Sequence, residues 1–397
     1  MAWGAHEGAG ADVAEWIDTL SFNELSAAIS LAAVLICIGL IAGWVLFSPK
    51  SEVELRKLTT EADRQNKNLR RRLDAQDTLI DALKYERDLW NLRQPQRPEA
   101  YDAWIADQHP KVLLVANLKG GVGKTTLSAN LAAYFDERRR GRVLLIDMDY
   151  QASLSNMLAR ASRQGVAESQ VQKLLSGEWD GAKLCAEAHD LRPSLGRSRL
   201  IMADYRLAAA ENRLMIEWAF DESGIDTRFS LARALMHPQV KENYDLVIID
   251  APPRLTFGMI NALAASSHIL IPTVIDRMSA EAVGNFLAAL RGLRGELNPN
   301  IKIAGVVLTL APELTLGGPQ QDSIPMLMDA LKVWEEGGVI FNAHIPRRQS
   351  IAGAAGMEIA YTLPGEDGQD VRALFDALGD EIVNEIGWSA PVYRGGI

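Results

Sequence analysis

The sequence predicts an α/β fold: a mostly parallel sheet sandwiched by helices, preceded by a helix long enough to cross a membrane and by a polar helical stalk. Three observations predict it. From residue 111 onward short apolar runs alternate with segments of helical periodicity, the pattern of buried parallel strands joined by helical crossovers. A glycine-rich turn follows the first of those runs. Near the N-terminus lies an uncharged stretch of about 20 residues, enough to span roughly 30 Å of hydrocarbon.

Composition sets outer limits. The chain has 397 residues, 48% of them hydrophobic and 23% charged, which describes a folding protein and not a disordered one. A formal net charge of −10 argues against unspecific coating of nucleic acid. The two cysteines, Cys37 and Cys185, lie far apart. They exclude a disulfide framework or a cysteine zinc site and fit a reducing cytosol.

The run Ala27–Phe47 reads AAISLAAVLICIGLIAGWVLF. A signal peptide would have a basic start and a shorter apolar core, and a soluble core helix rarely stays apolar all round for this length. Residues 1–49 carry five acids and no Lys or Arg, whereas Lys50, Arg56, Lys57, Arg64, Lys67 and Arg70-Arg71-Arg72 follow. The positive-inside rule therefore places the N-terminus outside and the rest in the cytoplasm, as a single-pass protein of a bacterial inner membrane. Trp44 is expected near the inner interface.

Residues 51–92 contain no Gly or Pro and read as a solvated helix. Leu55, Ala62, Leu69 and Leu83 share a seven-residue register that Gln76 interrupts, an imperfect coiled coil. Self-association and a lone spacer helix both fit. Arg93-Gln94-Pro95-Gln96-Arg97-Pro98 reads as a linker. The expected organisation is an acidic outer segment (1–26), a transmembrane helix (27–47), a stalk with linker (48–98) and a globular domain (99–397).

That domain opens with the apolar run Lys111–Asn117, then Lys119-Gly120-Gly121-Val122-Gly123-Lys124-Thr125-Thr126, then helical spacing over Leu127–Phe135. Strand, loop and helix in that order make a P-loop NTPase. Its glycines let backbone N–H groups approach phosphates at a helix N-terminus. Lys124 is positioned for the β- and γ-phosphates and Thr125 for Mg²⁺. A second apolar run delivers Asp147 and Asp149 at a spacing of two, on one face of the chain. A third, Tyr244–Ile249, ends in Asp250, a Walker B carboxylate suited to holding Mg²⁺ through water.

With Lys119 at its head, KGGVGKTT resembles the loop of the ParA/MinD family of deviant Walker A ATPases. The resemblance covers roughly residues 110–385. Asp250-Ala251-Pro252-Pro253, Asn261–Ala265 and Ile269–Pro272 match the family pattern. Tyr150 replaces the proline of its Asp-x-Asp-Pro-Gln motif, and Ser267-His268 stands where relatives have Ala-Asp. The resemblance implies ATP and Mg²⁺ as cofactors, ATP hydrolysis, and a homodimer closed around two nucleotides. Lys119 would reach the partner's nucleotide, Asp149 would orient the attacking water, and Asp147 would support the magnesium side with Thr125 and Asp250. The segment around Ile345-Pro346-Arg347 resembles one near the base, which places Thr309, Pro346 and Arg347 close to adenine.

Three functions follow. The first is a membrane-anchored dimerisation switch that positions or recruits an unidentified protein partner. The second, a bacterial tyrosine kinase of the polysaccharide-export type, is disfavoured by the loop and by a C-terminus with only Tyr393 nearby. The third, a signalling or phage-defence NTPase that gates an effector, is not separated from the first. DNA binding stays open but is not favoured: residues 111–397 hold 29 Lys+Arg against 34 Asp+Glu. Arg138-Arg139-Arg140 with Arg142 is either a solvated helix end or a patch.

The orientation is directly testable. A tag at the N-terminus should be cleaved by protease added to intact spheroplasts, and a tag at the C-terminus should survive. The reverse pattern refutes the topology.

Overall fold

The computed structural model describes residues 21–45, 51–82, 89–163, 169–220, 225–311, 323–332, 334 and 338–389. The acidic N-terminal residues, the end of the apolar run at Leu46-Phe47, Leu83 and Tyr393 lie outside them. The chain divides into two compact units, Met1–Asp77 and Thr78–Ile397.

The first unit holds the helix Phe22–Val45 and the larger part of the helix Ser51–Ala82. Within the former, the window Ser26–Gly43 has a mean hydropathy of 2.4 and none of it is buried. Ile36 and Leu40 stand in the open. This helix is long and apolar enough to cross a membrane. In the latter, Leu58 and Leu69 are exposed.

The second unit is built on eight strands: β1 (Lys111–Val115), β2 (Val143–Asp147), β3 (His189–Asp190), β4 (Arg199–Ile201), β5 (Leu246–Asp250), β6 (His268–Val274), β7 (Lys302–Ala311) and β8 (Ile345–Pro346). Their order is β3-β4-β2-β5-β1-β6-β7-β8. Every pair is parallel except β3–β4 at the edge.

The apolar runs are continuous because both faces are covered. In β1, Val112 and Leu114 enter one core while Leu113 and Val115 enter the other. β2 and β5 divide in the same way, as a period of two requires. Leu214 and Trp218 of the helix Arg206–Phe220, the helix Phe257–Ala265, and Val283 and Phe286 of the helix Arg277–Leu297 fill the first core. The helix Lys124–Ala133, with Val371, Phe375 and Leu378 of the helix Gly365–Ile386, fills the second. The parallel strands β1, β2 and β5 end together, with Val115 and Asp147 both in register with Asp250. Three chemical positions therefore meet at one edge of the sheet.

Two expectations change. The segment read as a linker at 93–98 is fastened to the globular unit: Gln96 N donates to Asp226 Oδ2 at 3.1 Å, and Arg97 Nη2 donates to the carbonyls of Gly295 and Glu296. The basic cluster is largely neutralised within the chain. Arg139 meets the Tyr134 hydroxyl at 2.6 Å and Asp380 at 2.8 Å, Arg142 pairs with Asp245 at 2.8 Å, and Arg138 lies 3.9 Å from Asp376.

Tyr134 belongs to a π-turn, Tyr134–Arg138, that closes the P-loop helix against the C-terminal helix. A Cβ at Gly379 would lie 2.4 Å from its ring. The ring has little room to retreat, because its hydroxyl is held by Asp380 and Arg139. Helix propensity favours alanine over glycine by about 1 kcal/mol, but overpacking costs about 1–3 kcal/mol. Gly379→Ala should therefore lower the urea midpoint. An unchanged or raised midpoint would show that the ring yields.

Candidate nucleotide site

The loop after β1 is fixed before it reaches its glycines. Asn117 is fully buried, gives its Nδ2 to Pro272 O at 2.8 Å and accepts from Lys119 N at 2.9 Å. Gly121 and Gly123 then adopt φ of +73° and +83°, a region that side chains rarely tolerate. Val122 turns its side chain inward, and its carbonyl accepts from Thr309 Oγ1 at 2.8 Å. The helix Lys124–Ala133 starts at Gly123 with no side-chain cap. Its first amides thus have no side-chain acceptor, the usual condition of an anion site.

Lys124 is nearly buried, and its Nζ donates to the carbonyls of Asn117 and Lys119, both at 3.1 Å. Burial pulls its pKa down, while Asp250 and Asp149 act in the opposite direction. Thr125 Oγ1 donates to Asp250 Oδ2 at 2.7 Å, and Ser128 Oγ to Asp250 Oδ1 at 3.2 Å. One strand away, Asp147 accepts from Ser155 N at 2.8 Å, Ser155 Oγ at 2.7 Å and Asp149 N at 3.1 Å. Burial pushes both carboxyls, Asp147 and Asp250, above the ordinary range, and the charge of Asp147 adds to the rise at Asp250.

Asp149 is half-buried on the wall of a cavity of about 580 Å³, a volume within the range of small-molecule sites. Gly120, Gly121, Gly123, Lys124, Thr125 and Thr126 line the same cavity, as do Thr309, Pro346 and Arg347. Met157, Ile351 and Phe375 supply an apolar wall. The structure therefore gathers most of the residues singled out from the sequence. Val122, Asp147 and Asp250 stand behind the wall. Thr309 has its hydroxyl engaged by Val122 O and Thr273 O. Arg347 is exposed, and its backbone N–H holds Ala311 O at 2.9 Å.

Lys119 is placed elsewhere. Its Nζ donates to Ser279 Oγ at 2.6 Å and lies 3.5 Å from Asp276, the residue that caps the helix Arg277–Leu297. Sequence reasoning missed Asp276 and Ser279, although Asp-x-x-Ser before a helical run is a legible capping signal. It also missed Asn117 and Ser155, for which no motif speaks.

The donor set fits a magnesium nucleotide. Uncapped amides and an ammonium held only by carbonyls suit phosphates, and the adjacent oxygens of Thr125 and Asp250 suit a hard cation. Among the described residues no group of three or more His, Cys, Asp or Glu could hold a metal by itself.

Comparison with known proteins agrees. Residues 110–303 match the model of a family described as an AAA domain. The chromosome-partitioning ATPase Soj of Thermus thermophilus is 32% identical over 277 residues, which covers 69% of this chain and 96% of the relative. An uncharacterized protein of Pseudomonas putida is 35% identical over 207 residues, covering 52% and 72%. Among solved structures, the ATP complex of a point variant of Cyanothece McdA aligns with a TM-score of 0.56 at 20% identity, over 72% of this chain and 99% of that one. This last likeness is one of fold.

Proposed function

The chain belongs to the ParA/MinD family of P-loop ATPases, and from that premise we propose a membrane-anchored, Mg²⁺-dependent ATP switch that closes as a homodimer and recruits a partner at the inner membrane. The observation that carries this reading is the cavity on which the glycine loop, Lys124, Thr125 and Asp149 converge, directly in front of Asp250.

In this reading the loop amides and Lys124 receive the phosphates, and Lys124 exchanges its two carbonyl partners for phosphate oxygens. Thr125 and Asp250 would hold magnesium, their oxygens lying 2.7 Å apart. Magnesium, when bound, neutralises charge on the phosphates. Asp149 orients the attacking water, and Asp147, which holds the Asp149 backbone and Ser155, supports the magnesium side. Phosphoryl transfer needs positioning and charge stabilisation more than covalent help. Thr309, Pro346 and Arg347 form the side of the cavity assigned to the base. Lys119 leaves Asp276 and Ser279 to reach the partner's nucleotide, so the lysine changes hosts when the dimer closes. The helix Phe22–Val45 keeps the protein in the bilayer throughout, with its N-terminus outside. The cycle then controls conformation and partner binding instead of membrane attachment.

Two variants of the full chain in detergent test the scheme. Asp149→Ala should retain ATP, release phosphate at least about a hundredfold more slowly, and accumulate as a dimer by light scattering. Lys119→Ala should retain ATP but lose both the ATP-induced dimer and its turnover. Full turnover in Lys119→Ala removes the cross-dimer role, and undiminished phosphate release in Asp149→Ala removes the water-orienting one.

A further inference from the structure

We propose that the strap Leu89–Arg97 positions the loop after Asp250 through Trp90 and thereby couples its own packing to nucleotide turnover. The proposal rests on the nucleotide site described above.

Trp90 is 1% exposed. Its ring packs on Trp218 at 5.5 Å and Phe257 at 6.0 Å between centroids. Its Nε1 donates to the carbonyl of Leu255 at 3.2 Å. Leu255 belongs to the loop that runs from Asp250 to the helix Phe257–Ala265. Pro253 of that loop lines the nucleotide cavity. Three positions thus succeed one another: Asp250 bonded to Thr125, Pro253 on the cavity wall, and Leu255 on Trp90.

Both ends of this relay are anchored. Beyond Leu255, Glu211 Oε1 accepts from Thr256 Oγ1 at 2.5 Å and from Gly258 N at 2.7 Å. On the strap, the guanidinium of Arg228 is wholly buried. It pairs with Asp226 at 2.6 Å, stacks 4.7 Å above Trp218, and donates to the carbonyls of Trp90 at 2.6 Å and Arg93 at 3.1 Å. Arg93 in turn donates to Trp218 O at 2.5 Å. A buried guanidinium deprived of its acceptors is strongly destabilising, so the strap cannot lift away without a large cost. A close-packed contact of this kind passes displacement on instead of absorbing it. A shift of Pro253 toward or away from the nucleotide must therefore be felt at Leu255 and Trp90. Coupling of this sort is reciprocal for binding: what displaces Trp90 returns to the loop.

The test uses the full chain in detergent. Trp90→Phe keeps an aromatic ring and removes the N–H to Leu255. It should lower kcat about three- to tenfold, with KM for ATP within about twofold and an unchanged Tm. In the unaltered chain, amide exchange across residues 89–97 should slow when ATP is added, and in Lys124→Ala it should not respond. An unchanged kcat in Trp90→Phe overturns the proposal, as does exchange at 89–97 that ignores ATP in a chain that hydrolyses it. A lowered Tm, with kcat falling only in proportion to the folded fraction, marks Trp90 as merely structural and also overturns it. Failure of the unaltered chain to bind ATP at all is a different result, since it removes the function proposed above.

Discussion

Two carboxylates, Asp147 and Asp250, stand side by side without solvent at the ends of adjacent parallel strands. Like charges in a dry setting raise each other's cost, and every neighbouring donor is recruited to offset it. The P-loop helix supplies Thr125 and Ser128, the turn after β2 supplies the amide of Asp149, and the helix Ser153–Ala161 supplies Ser155. The loops that surround the cavity are thus fastened to this pair, and the positions of Lys124 and Asp149 follow from it. Removal of one donor leaves a buried acceptor unpaired, at about 1–3 kcal/mol.

Much of this arrangement could be read in advance. The runs that became β1, β2 and β5 are almost wholly apolar because each is covered twice. The glycines of the loop are demanded by backbone angles that Gly121 and Gly123 adopt. Contacts distant in sequence could not be read. Lys119 meets Ser279 across 160 positions and Asn117 meets Pro272 across 155, and no local pattern names either pairing. The short strands β3 and β8 have two residues each, below the length at which alternation is detectable. The prolines around Pro95 and Pro98 correctly marked a break in the helix, but a break in helix is not a break in packing. Arg228, hidden in the same core, gave no warning either, since lone arginines in helical patterns are mostly solvated.

The same logic separates the two halves of the chain. In the globular unit, hydrophobic residues are interior and the surface carries mixed charge. In the N-terminal unit the order is inverted, with Ile29, Leu31, Leu35 and Leu40 facing outward on a helix with no charge between Ala27 and Val45. One polypeptide thus contains segments suited to two different solvents, divided by a run of basic residues.

The pairing of Arg138, Arg139 and Arg142 with Asp376, Asp380 and Asp245 has a consequence for polyanions. A guanidinium that already holds a carboxylate has little charge left to neutralise a phosphate and release that phosphate's condensed cations. A phosphate backbone approaching this surface would first have to displace the carboxylates, and it would shed few counterions in return. Any association through this face would therefore vary only shallowly with ionic strength, unlike that of a surface whose cations are exposed to solvent.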